Sequence, residues 1–349
     1  MQARRPRSRA ARITVVGLAL ATAGVTASAL VSLLTSYPWF VDIEIPLRAA
    51  DRWIHAGQPY LASSFGATVG YDLPFLYPPV VLPFLAPLTW LPREIVLAGW
   101  CAGVIAAAVF TLRRLGVSWL MVLPVLAWPP FAEGILGGNV QVVLVAAFVA
   151  VFVPRPSPRV GRGGDLRAGT LAALVPTFKV SQPHAWFGLL RVRPRAAVFG
   201  AIGVAGIAAA TLPLVGTQVW LDWVEQLKRA ADPAWPLAGA SLTAGLPAAV
   251  GLAVLGATVA ATFVVPRPRL AAWVGALTVL GAPSLRMFGV LFLLPALVRI
   301  RLEIALVAAL LIATYTLPGL WAGIAVTVVG LLGAERYASF QEYPEAAAT

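Results

Sequence analysis

The sequence is poor in several things, and each shortage excludes something. It has one cysteine, Cys101, which rules out an internal disulfide and any cysteine-based metal site. Charge of either sign is scarce: 11% of the residues are charged, against 60% that are hydrophobic. A soluble fold of 349 residues needs far more polar surface, so the class is an all-α, polytopic membrane helix bundle. The Asp-x-Asp triplet is missing, with Asp42-x-Glu44 the nearest approach to it. No basic helix with interleaved aromatics occurs either. The net charge of +12 therefore does not imply a nucleic-acid partner.

Apolar segments are abundant, with thirty-one glycines and twenty-nine prolines to break them. Arginines fall in short clusters between these segments, as cytoplasmic loops do under the positive-inside rule. Residues 1–12 carry five arginines and lead into Ile13–Leu34, too long for the core of a signal peptide. The expectation is an uncleaved helix with a cytoplasmic N-terminus. A first extracytoplasmic loop follows over 37–94. It holds an interfacial helix, Pro46–His55, and a proline-rich re-entrant stretch, Phe75–Leu91.

Further on, Val117–Phe131 reads as an outward span ending in a polar turn, Glu133–Gln141. Ala168–Leu190 reads as a hairpin with Lys179 and His184 near its apex. A second extracytoplasmic loop covers 216–247 and a cytoplasmic tail 334–349, for ten to twelve membrane segments in one integral-membrane domain, 1–349. This orientation puts nineteen of twenty-six basic residues inside, and the opposite one separates the charges less well. High arginine, alanine and proline with little lysine is the composition of a GC-rich bacterial genome, such as an actinobacterium.

The polar residues outside the arginine clusters gather at extracytoplasmic ends. They are Asp42, Glu44, Asp51, His55 and Asp72, then Glu133, Asn139 and Gln141, then Lys179 and His184, and finally Arg286. Such convergence suits a cavity at one membrane face. Taken singly, most of them fit a solvated loop equally well, and Asp51 fits a structural pair with Arg48 or His55. Trp39, Trp53, Trp220, Trp223 and Trp235 fit an aromatic belt at the membrane boundaries. A transporter or lipid flippase is the main rival class, and a non-catalytic scaffold the other. A transporter calls for internal symmetry and midplane charges, neither of which stands out here.

The pattern Asp42-x-Glu44, Gly57-Gln58-Pro59-Tyr60, Phe75-Leu76-Tyr77-Pro78-Pro79 and Leu91-Pro92 resembles the start of glycosyltransferase family 87. The likeness continues through Gly138-Asn139-Val140-Gln141, Lys179 and Ala282-Pro283-Ser284. The chain departs from the family pattern in the order of Asn139 and Gln141, in Leu285-Arg286-Met287-Phe288 and in Ile45-Pro46.

The resemblance implies a GT-C-like membrane transferase in the plasma membrane. It would move a sugar, mannose first, from a polyprenyl-phosphate donor to a glycolipid or glycan acceptor outside the membrane. Asp42 matches the catalytic carboxylate, which takes the acceptor's proton. Lys179 and Arg286 are the candidates for the donor phosphate, because each lies in an apolar stretch where an idle charge is expensive. Glu44, Asp72, Tyr77, Asn139, Gln141 and His184 are candidates for binding sugar or acceptor. A polyprenyl-phosphate donor lacks the diphosphate that usually recruits a metal, so no metal and no other cofactor is expected.

Overall fold

The computed structural model describes residues 9–61, 73–153, 162–231 and 239–342. Among them the regular secondary structure is helical, with one isolated parallel bridge between Gly239 and Leu285. Asp72, one of the expected ligand residues, lies outside the described residues.

Helix α1, Arg9–Ser36, meets no proline until Pro38 and runs roughly 40 Å, enough to cross a bilayer. Its side chains Ile13, Val16, Leu20, Val31 and Leu34 are exposed, a surface that suits lipid and not water. The hydroxyls of Thr14, Thr22 and Thr35 donate to carbonyls four residues back, which satisfies them without solvent. The chain breaks at Phe40, a non-glycine residue with φ 60°, and restarts as α2, Val41–Ala56.

Helix α2 is longer than the expected interfacial helix and begins five residues earlier. Its apolar side is covered by protein: Val41, Ile45, Ala49 and Ala50 pack on Val80, Val81 and Leu82, while Ile43 and Leu47 meet Val96. The segment facing it is the proline-rich stretch. Prolines at 79, 83 and 87 each fall at the start of a new short turn: a 3-10 turn at Pro79–Val81, α3 at Leu82–Leu85, then a 3-10 turn at Ala86–Trp90. A proline is tolerated there because the missing N–H would be unpaired in any case.

Helix α4, Arg93–Arg114, packs along α7, Val140–Phe152. Between them the expected outward span is broken into α5, Trp119–Leu126, and α6, Pro129–Leu136, bent by 71°. Pro129 and Pro130 restart the helix, so Glu133 sits inside α6 and not in a polar turn. Helices α8, Arg162–Phe178, and α9, His184–Val192, form the expected hairpin, and α10, Pro194–Val215, packs against both.

The second loop contains an amphipathic helix, α11, Thr217–Ala230. Its Val219, Trp220 and Trp223 join the cluster under α2, and Trp223 Nε1 donates to the Leu76 carbonyl at 3.1 Å. The remaining elements are α12, Ala248–Ala261; α13, Leu270–Gly281; a 3-10 segment, Met287–Leu293; α14, Leu294–Leu297; α15, Leu302–Ala313; and α16, Leu317–Glu342.

The core lies where α7, α13 and Met287–Leu293 meet, with Phe148 and Phe292 edge to face at 5.2 Å. Four described stretches are long and apolar enough to cross a membrane, namely the one containing α1, then α4, α10 and Leu317–Arg336. The number becomes five if the bent α5–α6 pair is one crossing. Much of the rest of the expected ten to twelve segments is found as apolar helices of 10–17 residues, cut short by proline and glycine.

Candidate active site

Asp42 stands in the first turn of α2, and backbone bonds fix that turn against the end of α6. Phe40 N donates to the Leu136 carbonyl at 2.7 Å, and Asp42 N to the Gly137 carbonyl at 2.9 Å. The carboxylate then lies over Gly137, where a β-carbon would come within 2.7 Å of Asp42 Oδ2 and 3.0 Å of the Tyr37 hydroxyl. Only glycine leaves that notch open. From the other side Asn139 Nδ2 donates to Asp42 Oδ2 at 2.9 Å. Asn139 is also the N-cap of α7, accepting from Gln141 N at 2.8 Å, so its amide has one orientation available. Pro46 cannot donate to the Asp42 carbonyl, which loosens α2 where the carboxylate projects.

A narrow cleft beside Asp42 is lined by Pro46, Tyr77, Trp100, Gly138 and Phe178. Tyr77 is set by edge contacts with Phe75 at 5.7 Å and Phe178 at 6.2 Å, and its carbonyl accepts from the Tyr60 hydroxyl at 2.7 Å.

Lys179 reaches the same region from the turn after α8. Its N–H caps the helix on the Val175 carbonyl at 2.8 Å, and its ammonium lies 5.1 Å from the centre of the Phe288 ring. Burial pushes this ammonium down to about 8; the Asp42 carboxylate opposes that shift and the Arg286 guanidinium adds to it. All three charges are thus within electrostatic reach of one another. Neither Lys179 nor Arg286 makes an ion pair within 4 Å among the described residues.

Arg286 is carried by the turn before Met287–Leu293, and the second loop straps that turn down. Ala240 N donates to the Leu285 carbonyl and Ser241 Oγ to the Ala282 carbonyl, both at 2.8 Å. Gly239 has φ 55°, and a β-carbon there would meet the Leu285 carbonyl oxygen. That position therefore requires glycine.

Three polar residues that carry no assignment from the sequence lie within electrostatic reach of Arg286, outside the lining of that cleft. Glu133 is 5% exposed and accepts from the Tyr315 hydroxyl at 3.0 Å. Tyr37 lies within electrostatic reach of Asp42, Glu133 and Arg286. The signal for Glu133 was available, since a carboxylate in the apolar run Trp128–Leu136 needs a reason to be there. The two tyrosines carried none.

Three of the expected ligand residues point elsewhere. Glu44 is bound by Arg93 through two hydrogen bonds and by Arg48 at 3.5 Å, on the opposite side of α2. Gln141 is fully buried and donates to Gln182 Oε1 at 3.1 Å, away from Asp42. His184 is buried against Gly281, with Nε2 3.0 Å from Thr258 Oγ1. Among the described residues no three His, Cys, Asp or Glu side chains are grouped to hold a metal ion.

The profile of glycosyltransferase family 87 matches residues 75–253, just over half of the chain. Lys179, Glu133 and Asn139 fall inside that match; Asp42 and Arg286 fall outside it. A polyprenol-phosphate-mannose-dependent alpha-(1-2)-phosphatidylinositol mannoside mannosyltransferase of Mycobacterium tuberculosis is 28% identical over 218 residues, 54% of this chain and 49% of the relative. The protein of that name from Mycolicibacterium smegmatis is 29% identical over 151 residues, 36% of this chain and 34% of the relative. The chain spans about half the length, or less, of the curated relatives it matches. No solved structure matches it.

Proposed function

The chain belongs to glycosyltransferase family 87, and on that footing we propose that it transfers mannose from a polyprenyl-phosphate donor to a hydroxyl of a lipid-linked or cell-envelope glycan. The observation that carries the proposal is the meeting of Asp42 with two cations, Lys179 and Arg286, that have no ion-pair partner within 4 Å among the described residues. A carboxylate within electrostatic reach of two cations that make no ion pair suits a reaction in which a hydroxyl loses a proton and a phosphate gains charge.

In this mechanism the acceptor oxygen attacks the anomeric carbon as the bond from that carbon to the phosphate oxygen breaks. The electron pair leaves on the lipid phosphate, held by Lys179 and Arg286. The acceptor's proton passes to Asp42, whose carboxylate is aimed by Asn139. Positive charge developing on the sugar ring is stabilised by the same carboxylate. Tyr77 and Asn139 flank the space for the transferred sugar. The names of the two curated relatives support mannose and a polyprenol-phosphate donor. The arginine clusters support an extracytoplasmic site with the N-terminus in the cytoplasm.

Asp42→Asn keeps the shape and removes the basicity. Transfer of labelled mannose in membranes containing this variant should fall by about 10²–10⁴-fold. Near-normal transfer at equal protein level would sink the assignment.

A further inference from the structure

One group of polar residues near Asp42 and Arg286 is not used by the transfer step. The Glu133 carboxylate is 5% exposed, and among the described residues its one hydrogen-bond partner is the Tyr315 hydroxyl on Oε2. It has no ion pair within 4 Å, although Arg286 and Asp42 both lie within electrostatic reach. A buried carboxyl group bonded only to one neutral phenol either takes up a proton or gains a further partner.

Tyr315 adds a second, independent oddity. It sits at φ 57°, where a bulky residue is rare, and 40% of it is exposed. The turn that holds it there is tied by its neighbours: Thr314 and Thr316 hydroxyls lie 3.0 Å apart, and Gly319 N donates to Thr316 Oγ1 at 3.2 Å. The strained turn thus delivers a phenol to Glu133 while leaving much of the ring open. Tyr37 completes the group, because its hydroxyl and Asp42 Oδ2 face the same Gly137 notch and lie within about 6 Å of each other.

We propose that Glu133, Tyr315 and Tyr37 form the acceptor subsite and hold the hydroxyls of the acceptor's headgroup. An ionised carboxyl accepts hydrogen bonds, a protonated one also donates, and a phenol does both. Together they suit adjacent hydroxyls, of which one is presented to Asp42 while its neighbours are held. A plain long-chain alcohol would leave Glu133 with Tyr315 as its one hydrogen-bond partner among the described residues, and a phosphate would be repelled by the ionised carboxyl. The proposed site therefore has two unlike parts, with phosphate held by Lys179 and Arg286 and sugar hydroxyls held by Glu133. This inference rests on the transferase reading above.

The test uses the full chain in detergent with polyprenyl-phosphate mannose as donor and methyl α-mannoside or octanol as the acceptor probe. Glu133→Gln and Tyr315→Phe should each raise the methyl mannoside KM about 10–100-fold. Donor KM should move less than about two-fold, and the fraction of mannose released to water should rise. The conservative change at exposed Tyr315 serves if the buried one unfolds. A donor KM that rises in step with the acceptor KM would overturn the subsite. So would unchanged acceptor KM in both variants, or equal use of octanol by the wild type. A wild type that neither transfers nor releases mannose would overturn the transferase reading itself.

Discussion

Helix α2 carries two carboxylates two residues apart, with opposite surroundings. Residues two apart on a helix project about 200° from each other, so Glu44 and Asp42 face different partners. Glu44 is gripped by Arg93 and Arg48, with its charge fully answered. Asp42 has one amide, from Asn139, and two nearby cations that make no ion pair with it. The larger cavity, about 490 Å³, lies on the Glu44 side. Size is the poorer guide here, since the Glu44 carboxylate beside that cavity is already saturated, whereas Asp42, which lines the smaller cleft, has two cations within electrostatic reach that make no ion pair. Neutralised charge builds scaffold, and charge left open is what the proposed transfer would use.

The sharpest way to break this comparison is to neutralise each carboxylate in turn. Asp42→Asn should abolish most transfer with little change in thermal midpoint. Glu44→Gln should lower stability by about 1–2 kcal/mol by leaving Arg93 and Arg48 sharing a weaker partner. Its transfer should fall only as the folded fraction falls. Thermal unfolding in detergent beside a transfer assay reads both, and the reverse pattern would exchange the roles of the two residues.

Next in size is Lys179→Met, expected to reduce transfer by about 10²-fold through loss of a charge-assisted bond to phosphate. The pH profile tests the same residue more finely. Lys179 titrates near 8, below the ordinary lysine value, so it is charged below that pH and neutral above it. Transfer at low donor concentration should therefore decline as pH rises through about 8, roughly tenfold per unit once the ammonium is lost. Lys179→Arg should abolish that decline. Stability has the opposite sign: between about 8 and the normal lysine value the unfolded chain binds more protons, so this group's destabilising contribution fades as pH rises. Measuring donor KM from pH 7 to 9 separates the two effects.

These outcomes also bear on what the sequence alone made legible. Lys179 and Arg286 stood out because a charge in an apolar stretch is expensive, a cost that holds whatever the local fold, whereas Asp42 stood out by its match to the family pattern. Glu44 misled because the start of α2 has no sequence signal. Phe40 offers no capping side chain, and Pro46 invites a later helix start. With residues 41–45 taken as loop, nothing separated Asp42 from Glu44 onto opposite faces. Tyr37 and Tyr315 were hidden among aromatics that suit any membrane boundary, and Glu133, which Tyr315 bonds, was displaced by the α5–α6 bend. The strap from Gly239 to Leu285 joins residues 46 apart, beyond any local pattern.

That strap gives a smaller prediction. Gly239→Ala places a methyl group against the Leu285 carbonyl at a backbone angle that alanine resists, so the Arg286 turn must shift. Transfer should fall about tenfold, with donor KM affected more than kcat. If Arg286 has no part in phosphate binding, the same substitution will change stability and leave donor KM alone.

The smallest effect is expected at Gln141, and it separates the sequence expectation from the observed contacts. Its Nε2 donates to Gln182 Oε1 at 3.1 Å, and Gln182 N in turn donates to the Lys179 carbonyl at 2.8 Å. Gln141 therefore supports the turn that aims Lys179, and it does not face Asp42. Gln141→Leu leaves Gln182 Oε1 buried without its donor, at a stability cost of about 1–2 kcal/mol. Transfer should fall only a few-fold, through donor KM, because Lys179 keeps its charge and its helix cap. If Gln141 instead touched the sugar, the loss would appear in kcat and would not be relieved by saturating donor. A donor titration of this one variant tells the two arrangements apart.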